Sequence, residues 1–343
     1  MNREIQDKIP VFSFLMMCVV VLYHCLIPEE LYQVTGIDSL LNTSVTSFLG
    51  VFCALALRWF FTITGFLLFR KLGFHTFGQK LKNRVYSLLI PYILWCGIYI
   101  LKSILQGNHW TLYNAVSQVF FFRKWPPLPA FWYVYAVFLL ALLSPLVLLI
   151  FRNRQFGALF VIFWSIFASY CLKSSFLLTR RLSYYYITNI FVYSTAYFIG
   201  AFYGSIYSEE DCDKNLQNLK YLVLFFIISQ LLDSGIPGLF EMVAGSSIPI
   251  LMLFLLPVPN SFKNLRLYST SFLMFAIHQP LISISTGFIY RLLFLVPGLI
   301  PIAGLIGRLL CLCFVCTANY FLFYIMKRFT PRTLRLLTGG RAQ

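Results

Sequence analysis

Long apolar runs, separated by polar segments, dominate the sequence. Runs close to the roughly 20 residues that a helix needs to cross a bilayer recur along the whole chain. They lie at 11–27, 45–69, 86–105, 130–151, 156–172, 185–206, 220–236, 239–256, 272–296 and 299–326. This pattern predicts an all-α polytopic bundle of about ten transmembrane helices. Because we find no internal repeat and no separate polar domain, we expect residues 1–343 to form a single membrane-embedded domain.

The run at 239–256 is the least regular of these segments. It contains Glu241, Gly245 and Pro249, which interrupt its apolar character. A re-entrant or broken segment is the alternative interpretation, and a chain with nine or eleven crossings stays open.

The placement of Lys and Arg predicts the orientation. Cytoplasmic loops of membrane proteins carry an excess of these residues. With ten crossings and both termini in the cytoplasm, eighteen Lys and Arg residues fall on the cytoplasmic side and seven on the opposite side. The 28–44 loop on the opposite side carries only acids. We therefore expect both termini to lie in the cytoplasm.

The composition excludes several other classes of protein. Apolar residues make up 59% of the chain and charged residues 11%, and a soluble globule has about 25% charged residues. The net charge of +16 comes from short basic clusters between apolar runs, so we expect the lipid bilayer and no nucleic acid as a partner. Nine cysteines, mostly in apolar runs, indicate no disulfide framework. Cys311, Cys313 and Cys316 have no His or carboxylate near them, so we expect no metal site.

Two arginines fall within apolar runs, where a charged group is costly and therefore a candidate for function. Arg58 is twelve residues from Arg70, about 18 Å at helical rise, and this depth is too great for easy snorkelling. We expect it to face a partner, a cavity or a bound anion. Arg308 lies near the start of the last run, and we expect its side chain to snorkel outward.

Two histidines also lie within apolar runs. His24 lies near the end of the first run, and an interfacial His that meets lipid headgroups is the alternative to a functional one. His278 precedes Gln279-Pro280, and proline frees a backbone carbonyl that a structural His could bind. Both histidines are candidates for acid–base chemistry, since the imidazole pKa lies close to neutrality.

Short motifs occur along the chain in a fixed order. They are Val19-Val20-Val21-Leu22-Tyr23-His24; Phe60-Phe61-Thr62-Ile63-Thr64-Gly65-Phe66-Leu67; Lys82-Asn83-Arg84 before Ile90-Pro91-Tyr92; Phe131-Trp132-Tyr133 before Ser144-Pro145-Leu146; and Ser271-Phe272 before His278. In order and helix count, this series resembles the bacterial acyltransferase 3 family of membrane O-acyltransferases.

The resemblance implies an enzyme of the bacterial cytoplasmic membrane. Such an enzyme takes an acyl group, usually acetyl, from cytoplasmic acyl-CoA and places it on a sugar hydroxyl of a surface glycan. It would need acyl-CoA as a co-substrate, a glycan or lipid-linked sugar as the acceptor, and no bound cofactor. His24 is the first candidate for the catalytic residue and His278 the second.

The resemblance also suggests residues that bind acyl-CoA or the acceptor. They are Arg58, Thr64, Lys82, Arg84, Trp132 and Tyr133. The chain departs from the family pattern at Ser13, where the family usually has Arg or Lys eleven residues before its His. It also departs at Pro10 and Ser87, where the family has Asp and a second Arg. Because the usual cation is missing at Ser13, we expect the donor phosphates to meet the basic segment 70–84, above all Arg84 and Lys82.

Two other functions stay open. A transporter or flippase for a lipid-linked glycan would use Arg58 and the histidines as pathway residues. It would, however, lack an acidic residue within a helix for proton coupling and a repeat between halves. A degenerate family member without catalytic activity is the other alternative, against which His24 argues.

Overall fold

The computed structural model of the chain describes residues 3–31, 39–120, 126–173, 185–207, 239–263 and 266–341. All regular structure within these ranges is helical, which confirms the predicted all-α class. The α-helices of more than one turn are α1 Arg3–His24, α2 Ser39–Phe69, α3 Phe74–Arg84, α4 Ile90–Leu105, α5 Leu112–Phe120, α6 Trp132–Leu142, α7 Ser144–Phe151, α8 Arg154–Lys173, α9 Tyr185–Ile206, α10 Leu239–Leu255, α11 Ser271–Phe294, α12 Ala303–Phe329 and α13 Pro331–Leu337. A single α-helical turn, Asn260–Lys263, lies between α10 and α11.

Five helical segments in the described ranges are long and apolar enough to cross a membrane. They are Ile5–His24, Asn42–Phe69, Phe74–Leu105, Leu267–Phe294 and Ala303–Phe329. The bent pair α6 and α7 would add a sixth. The predicted crossing at 220–236 lies outside the described residues. The count of ten crossings and the cytoplasmic location of both termini therefore stay predictions.

The outer surfaces of these helices are apolar. Leu105, Leu112, Val51 and Phe288 are exposed to 80%, 82%, 69% and 66%. Large exposed apolar surfaces are rare on monomeric soluble proteins, and lipid chains cover them without cost. The surface, like the composition, is that of a membrane protein.

A proline explains the bend within the predicted run 130–151. The axes of α6 and α7 differ by 55°, and Pro145 lies one residue after the start of α7. Proline has no N–H to donate to the carbonyl four residues earlier, which here belongs to Ala141. The Ser144 hydroxyl donates to this carbonyl at 2.7 Å. The bend is thus compatible with an apolar environment, because the carbonyl that Pro145 leaves free has a donor.

Two further prolines are accommodated within continuous helices. A π-helical turn, Val85–Leu89, joins α3 to α4 directly before Pro91. A π-helical turn widens the helix locally, so the helix can continue past a proline, which has no N–H to donate. In α10, Pro249 lies inside an unbroken helix over Leu239–Leu255. The broken helix that was the alternative interpretation of 239–256 is therefore not seen within Leu239–Leu255, and the crossing of the membrane by this segment stays a prediction.

The structure differs from the sequence prediction at two other places. α1 begins at Arg3, ahead of the predicted run 11–27, so Lys8 is a helical residue and only 4% exposed. A short helix, α5, lies within the segment between the predicted runs 86–105 and 130–151. Two tyrosine hydroxyls donate to carbonyls at its end, from Tyr92 to Val119 at 2.6 Å and from Tyr135 to Phe120 at 3.2 Å.

The described chain divides into two compact units. The first comprises residues 1–9 and 58–257, and the second comprises residues 10–57 and 258–343. That residues 1–343 form one domain therefore stays a prediction.

In the first unit, α2 and α9 pack with their backbones close together. A side chain at Gly200 would overlap the Thr62 carbonyl group, and one at Gly204 would overlap that of Phe66. In the reverse direction, a side chain at Gly65 would overlap the carbonyl of Tyr197. Small residues with this four-residue spacing are typical of closely packed helices in membranes. The glycines of α2 and α9 therefore set the spacing of the helices that carry Thr64 and Tyr197.

Candidate active site

Two histidines are neighbours in the second unit. His24 is the last residue of α1, and His278 lies in the middle of α11. Their ring centroids are 5.9 Å apart, with 44° between the ring planes. His24 is exposed, whereas His278 is only 1% exposed. The structure thus brings together the two predicted catalytic residues and gives them different surroundings.

One ring nitrogen of His278 is left available by its hydrogen bonding. Nδ1 lies 2.7 Å from the carbonyl oxygen of Phe275. A carbonyl oxygen can only accept, so Nδ1 carries the proton and Nε2 of the neutral ring holds a lone pair. Nε2 is buried and has no hydrogen-bond partner. The carbonyl that Pro280 frees belongs to Ala276, so capping of that carbonyl does not account for His278.

Arg308 is buried, and the expectation that it snorkels outward is wrong. Its side chain is 1% exposed. Nη1 donates to the carbonyls of Leu22 at 2.9 Å and Tyr23 at 3.3 Å, directly before His24. Carbonyl acceptors at the end of α1 bind the guanidinium, which would otherwise have to reach the membrane surface to find partners. No sequence pattern indicates this contact, because the partners are backbone atoms.

In the first unit, Thr64 and Tyr133 form a small polar cluster. The Thr64 hydroxyl donates to the Phe60 carbonyl at 2.7 Å and lies 3.2 Å from the Tyr133 hydroxyl. Tyr133 also donates to the Phe60 carbonyl at 3.2 Å. Thr64 and Tyr133, both predicted binding residues, therefore meet at one backbone carbonyl. The bond of Thr64 to its own helix is also a common structural arrangement for Thr.

Arg84 lies in the same unit, at the last position of α3 before the π-helical turn. Its guanidinium lies near the side chains of Tyr133 and Tyr197. The Tyr197 hydroxyl is buried and has no hydrogen-bond partner. An arginine fork beside an unpaired hydroxyl can supply several donors to the oxygens of one anion. Sequence analysis missed Tyr197, because tyrosines are frequent in this chain and no motif marks it.

Arg58 is also buried in the first unit and is 8% exposed. Its guanidinium packs against α10 at Gly245, where an added Cβ would lie 2.8 Å from Nη1. Nearby, the Thr62 hydroxyl donates to the Ser246 carbonyl at 3.3 Å. The small residues of α10 thus make room for the arginine, which explains part of the polar composition of the 239–256 run.

The other two predicted binding residues have different surroundings. Trp132 is 7% exposed and packs against Phe61 and Tyr193, with ring centroids 5.8 Å apart in both cases. Lys82 is exposed on α3. Trp132 is a packing residue in this arrangement, and Lys82 is free to meet a soluble anion. No group of three metal-binding side chains occurs among the residues that the structure describes.

These features define a class of protein. The chain is an α-helical membrane protein with a paired histidine in one unit and buried arginines in both. It belongs to the acyltransferase family whose model, described as an acyltransferase domain, matches residues 13–335. The match covers nearly the whole chain, so the protein is a multi-pass membrane acyltransferase. No curated protein and no solved structure shows significant similarity to it.

Proposed function

We propose that the protein moves an acyl group, in the first instance acetyl, from cytoplasmic acyl-CoA to a sugar hydroxyl of a surface glycan. The expected location is the cytoplasmic membrane of a bacterium. One observation carries the proposal: His24 and His278 lie 5.9 Å apart, ring to ring, in a chain whose family is one of acyltransferases. An imidazole as deeply buried as that of His278 is costly in an apolar environment without a chemical role.

In the proposed reaction His24 acts as the general base. Its ring accepts the proton of the sugar hydroxyl while the hydroxyl oxygen attacks the thioester carbonyl carbon. The carbon–sulfur bond then breaks, and the CoA thiolate leaves with the proton returned by the imidazolium. His278 is buried behind this ring, and the lone pair on its Nε2 can accept a hydrogen bond from His24 or from a substrate hydroxyl.

The first test is direct transfer. Purified protein in lipid vesicles is mixed with acetyl-CoA labelled in the acetyl group and with a mixture of glycan acceptors. We expect label in an ester that mild alkali removes, together with release of one free CoA thiol for each ester formed. If the vesicles instead move a lipid-linked glycan across the bilayer and form no ester, the protein is a transporter, and the proposal is wrong.

Arg84 is proposed to bind the phosphates of the donor. We expect Arg84→Ala to weaken acetyl-CoA binding by about tenfold or more, the loss expected for a charged hydrogen bond of roughly 1.5–3 kcal/mol. The acetyl-CoA affinity of Arg84→Lys should lie between those of the wild type and Arg84→Ala, because lysine keeps the charge and lacks the forked guanidinium. Isothermal titration or competition with a fluorescent CoA analogue would measure the affinity.

The matched control for Arg84 is Arg154→Ala, which removes an exposed cation at the start of α8, outside the basic segment 70–84, and which we expect to leave the affinity unchanged. Lys82→Ala should weaken binding less than Arg84→Ala, since Lys82 is exposed and its charge is screened. An unchanged affinity in the Arg84→Ala, Lys82→Ala double variant would place the donor phosphates elsewhere, with Arg58 as the next candidate.

A further inference from the structure

The backbone carbonyls at the end of α1, around His24, need hydrogen-bond donors. The last carbonyls of a helix lack partners within the helix, and in an apolar environment each unpaired carbonyl is costly. Two of those around His24 are satisfied locally, because Cys25 N–H donates to Val21 at 3.0 Å and Leu26 N–H donates to His24 at 2.9 Å. The carbonyls of Leu22, Tyr23 and Cys25 need donors from outside the helix.

Two side chains supply all three donors. Arg308 on α12 donates from Nη1 to Leu22 at 2.9 Å and to Tyr23 at 3.3 Å. Tyr290 on α11 donates its hydroxyl to Cys25 at 3.0 Å. Each backbone carbonyl from residue 21 to residue 25 therefore has a donor, and His24 lies in the middle of this series.

The guanidinium of Arg308 is itself held in place by a second helix. Nη2 donates to the Thr46 hydroxyl at 2.7 Å and approaches Oδ1 of Asn42 at 3.5 Å, both on α2. Its two Nη groups thus bind protein oxygens, and no carboxylate lies within ion-pair distance among the described residues. A cation at the carboxyl end of a helix is also favoured by the helix dipole. This arrangement fits a clamp between two helix backbones better than a site for a soluble anion.

On α12, a glycine next to Arg308 leaves room for the ring of Tyr290. Gly307 precedes Arg308, and a side chain there would overlap the aromatic ring of Tyr290. Tyr290 and His278 lie on the same helix, α11. The helix that contributes the partner of His24 therefore also fixes the backbone just after His24.

We propose that Arg308 and Tyr290 are positioning residues that hold the His24 ring beside His278. The catalytic consequence rests on the acyl transfer proposed above, whereas the geometric consequence does not. Without the clamp, the end of α1 would lose three hydrogen bonds and the ring would shift. A displacement of about 1 Å at a reacting group can cost up to 100-fold in rate.

The test uses Arg308→Met, Arg308→Lys and Tyr290→Phe in the full-length protein, purified in detergent. Matched controls are Arg328→Met and Tyr324→Phe, which change exposed residues of α12. Two readouts are compared: kcat and KM for acetyl transfer, and the rate at which diethylpyrocarbonate modifies His24 and His278, followed by mass spectrometry. Monodispersity and melting temperature show that each variant is folded.

We expect Arg308→Met to lower kcat by about 10- to 100-fold with little change in either KM, because the ring is displaced while the substrate sites are intact. Arg308→Lys should restore part of the rate, since an ammonium can still donate to the carbonyls. Tyr290→Phe should lower kcat less, as it removes one donor. In the first and third variants, the modification rate of buried His278 should rise severalfold.

Several results would overturn the proposal. One is a wild-type kcat and wild-type modification rates in Arg308→Met. Another is a raised KM for acetyl-CoA at unchanged kcat, which would make Arg308 part of the donor site. If Arg308→Met does not fold, Tyr290→Phe decides, and unchanged modification of both histidines there refutes the clamp. A wild-type protein that transfers no acetyl group would refute the proposed function alone, because the modification rates still test the geometry.

Discussion

Replacement of His24 by alanine should abolish acetyl transfer while the protein still inserts and folds. General-base catalysis contributes about 10²–10⁴ in rate, and alanine can neither accept a proton nor carry an acyl group. His24 is exposed at the end of α1, so its removal leaves no buried cavity and no unpaired buried partner. We expect the melting temperature to stay close to the wild-type value. Turnover of labelled acetyl-CoA by purified protein would measure the loss.

The appropriate comparisons separate chemistry from side-chain size. His24→Gln keeps a polar side chain of similar length without a basic nitrogen, and it should be as inactive as the alanine variant. His109→Ala changes an exposed histidine in the segment between α4 and α5 and should be fully active. His278→Ala should lower the rate less than His24→Ala, because we place His278 behind the reacting ring. Full activity in His24→Ala would remove this residue from the mechanism.

The fold class follows from the sequence because the bilayer restricts the possible answers. A run such as 45–69 can only be a helix in lipid, and the structure has α2 at Ser39–Phe69. The helix 185–206 was predicted with the bounds that the structure gives it. Short helices are less constrained. α5 spans nine residues, too few to cross the membrane, and two tertiary bonds from Tyr92 and Tyr135 reach its end.

The candidate site was predictable only in part. His24 and His278 stand out as ionisable groups in apolar runs, but nothing in their spacing says that the two rings meet. Their common role came from the family resemblance, and the ring distance of 5.9 Å came from the fold. Thr64 and Tyr133 were both candidates through motifs, and their contact at 3.2 Å again depends on tertiary packing.

Arg308 shows most clearly where sequence reasoning stops. An arginine near a helix end can reach the membrane surface or turn inward to bind carbonyls, and both choices have the same sequence pattern. The choice is made by the end of α1 and by Thr46 on α2, which lie far from Arg308 in the chain. Backbone acceptors carry no residue signature, so the pairing could not be inferred from composition or spacing.

Gly200→Ala should be among the most destabilising single-methyl changes in the first unit. The added Cβ would overlap the carbonyl of Thr62, and both partners are helical backbone, which cannot move aside as a flexible side chain can. Overpacking of this kind costs about 1–3 kcal/mol, and the close approach of α2 and α9 puts this position at the upper end. Because α2 carries Thr64 and α9 carries Tyr197, their separation should also lower transfer activity in the protein that remains folded.

Gly287→Ala and Gly97→Ala are the matched controls for this change. Both glycines lie in helices, and an added Cβ at either meets nothing within 4 Å. Alanine is the better helix former by about 1 kcal/mol, so these variants should be neutral or slightly more stable than wild type. Melting temperature in detergent, read from intrinsic fluorescence, would compare the three. If the melting temperature of Gly200→Ala equals that of the two controls, α2 and α9 do not pack with their backbones in contact. Two helices whose backbones touch would leave no room for the added methyl group.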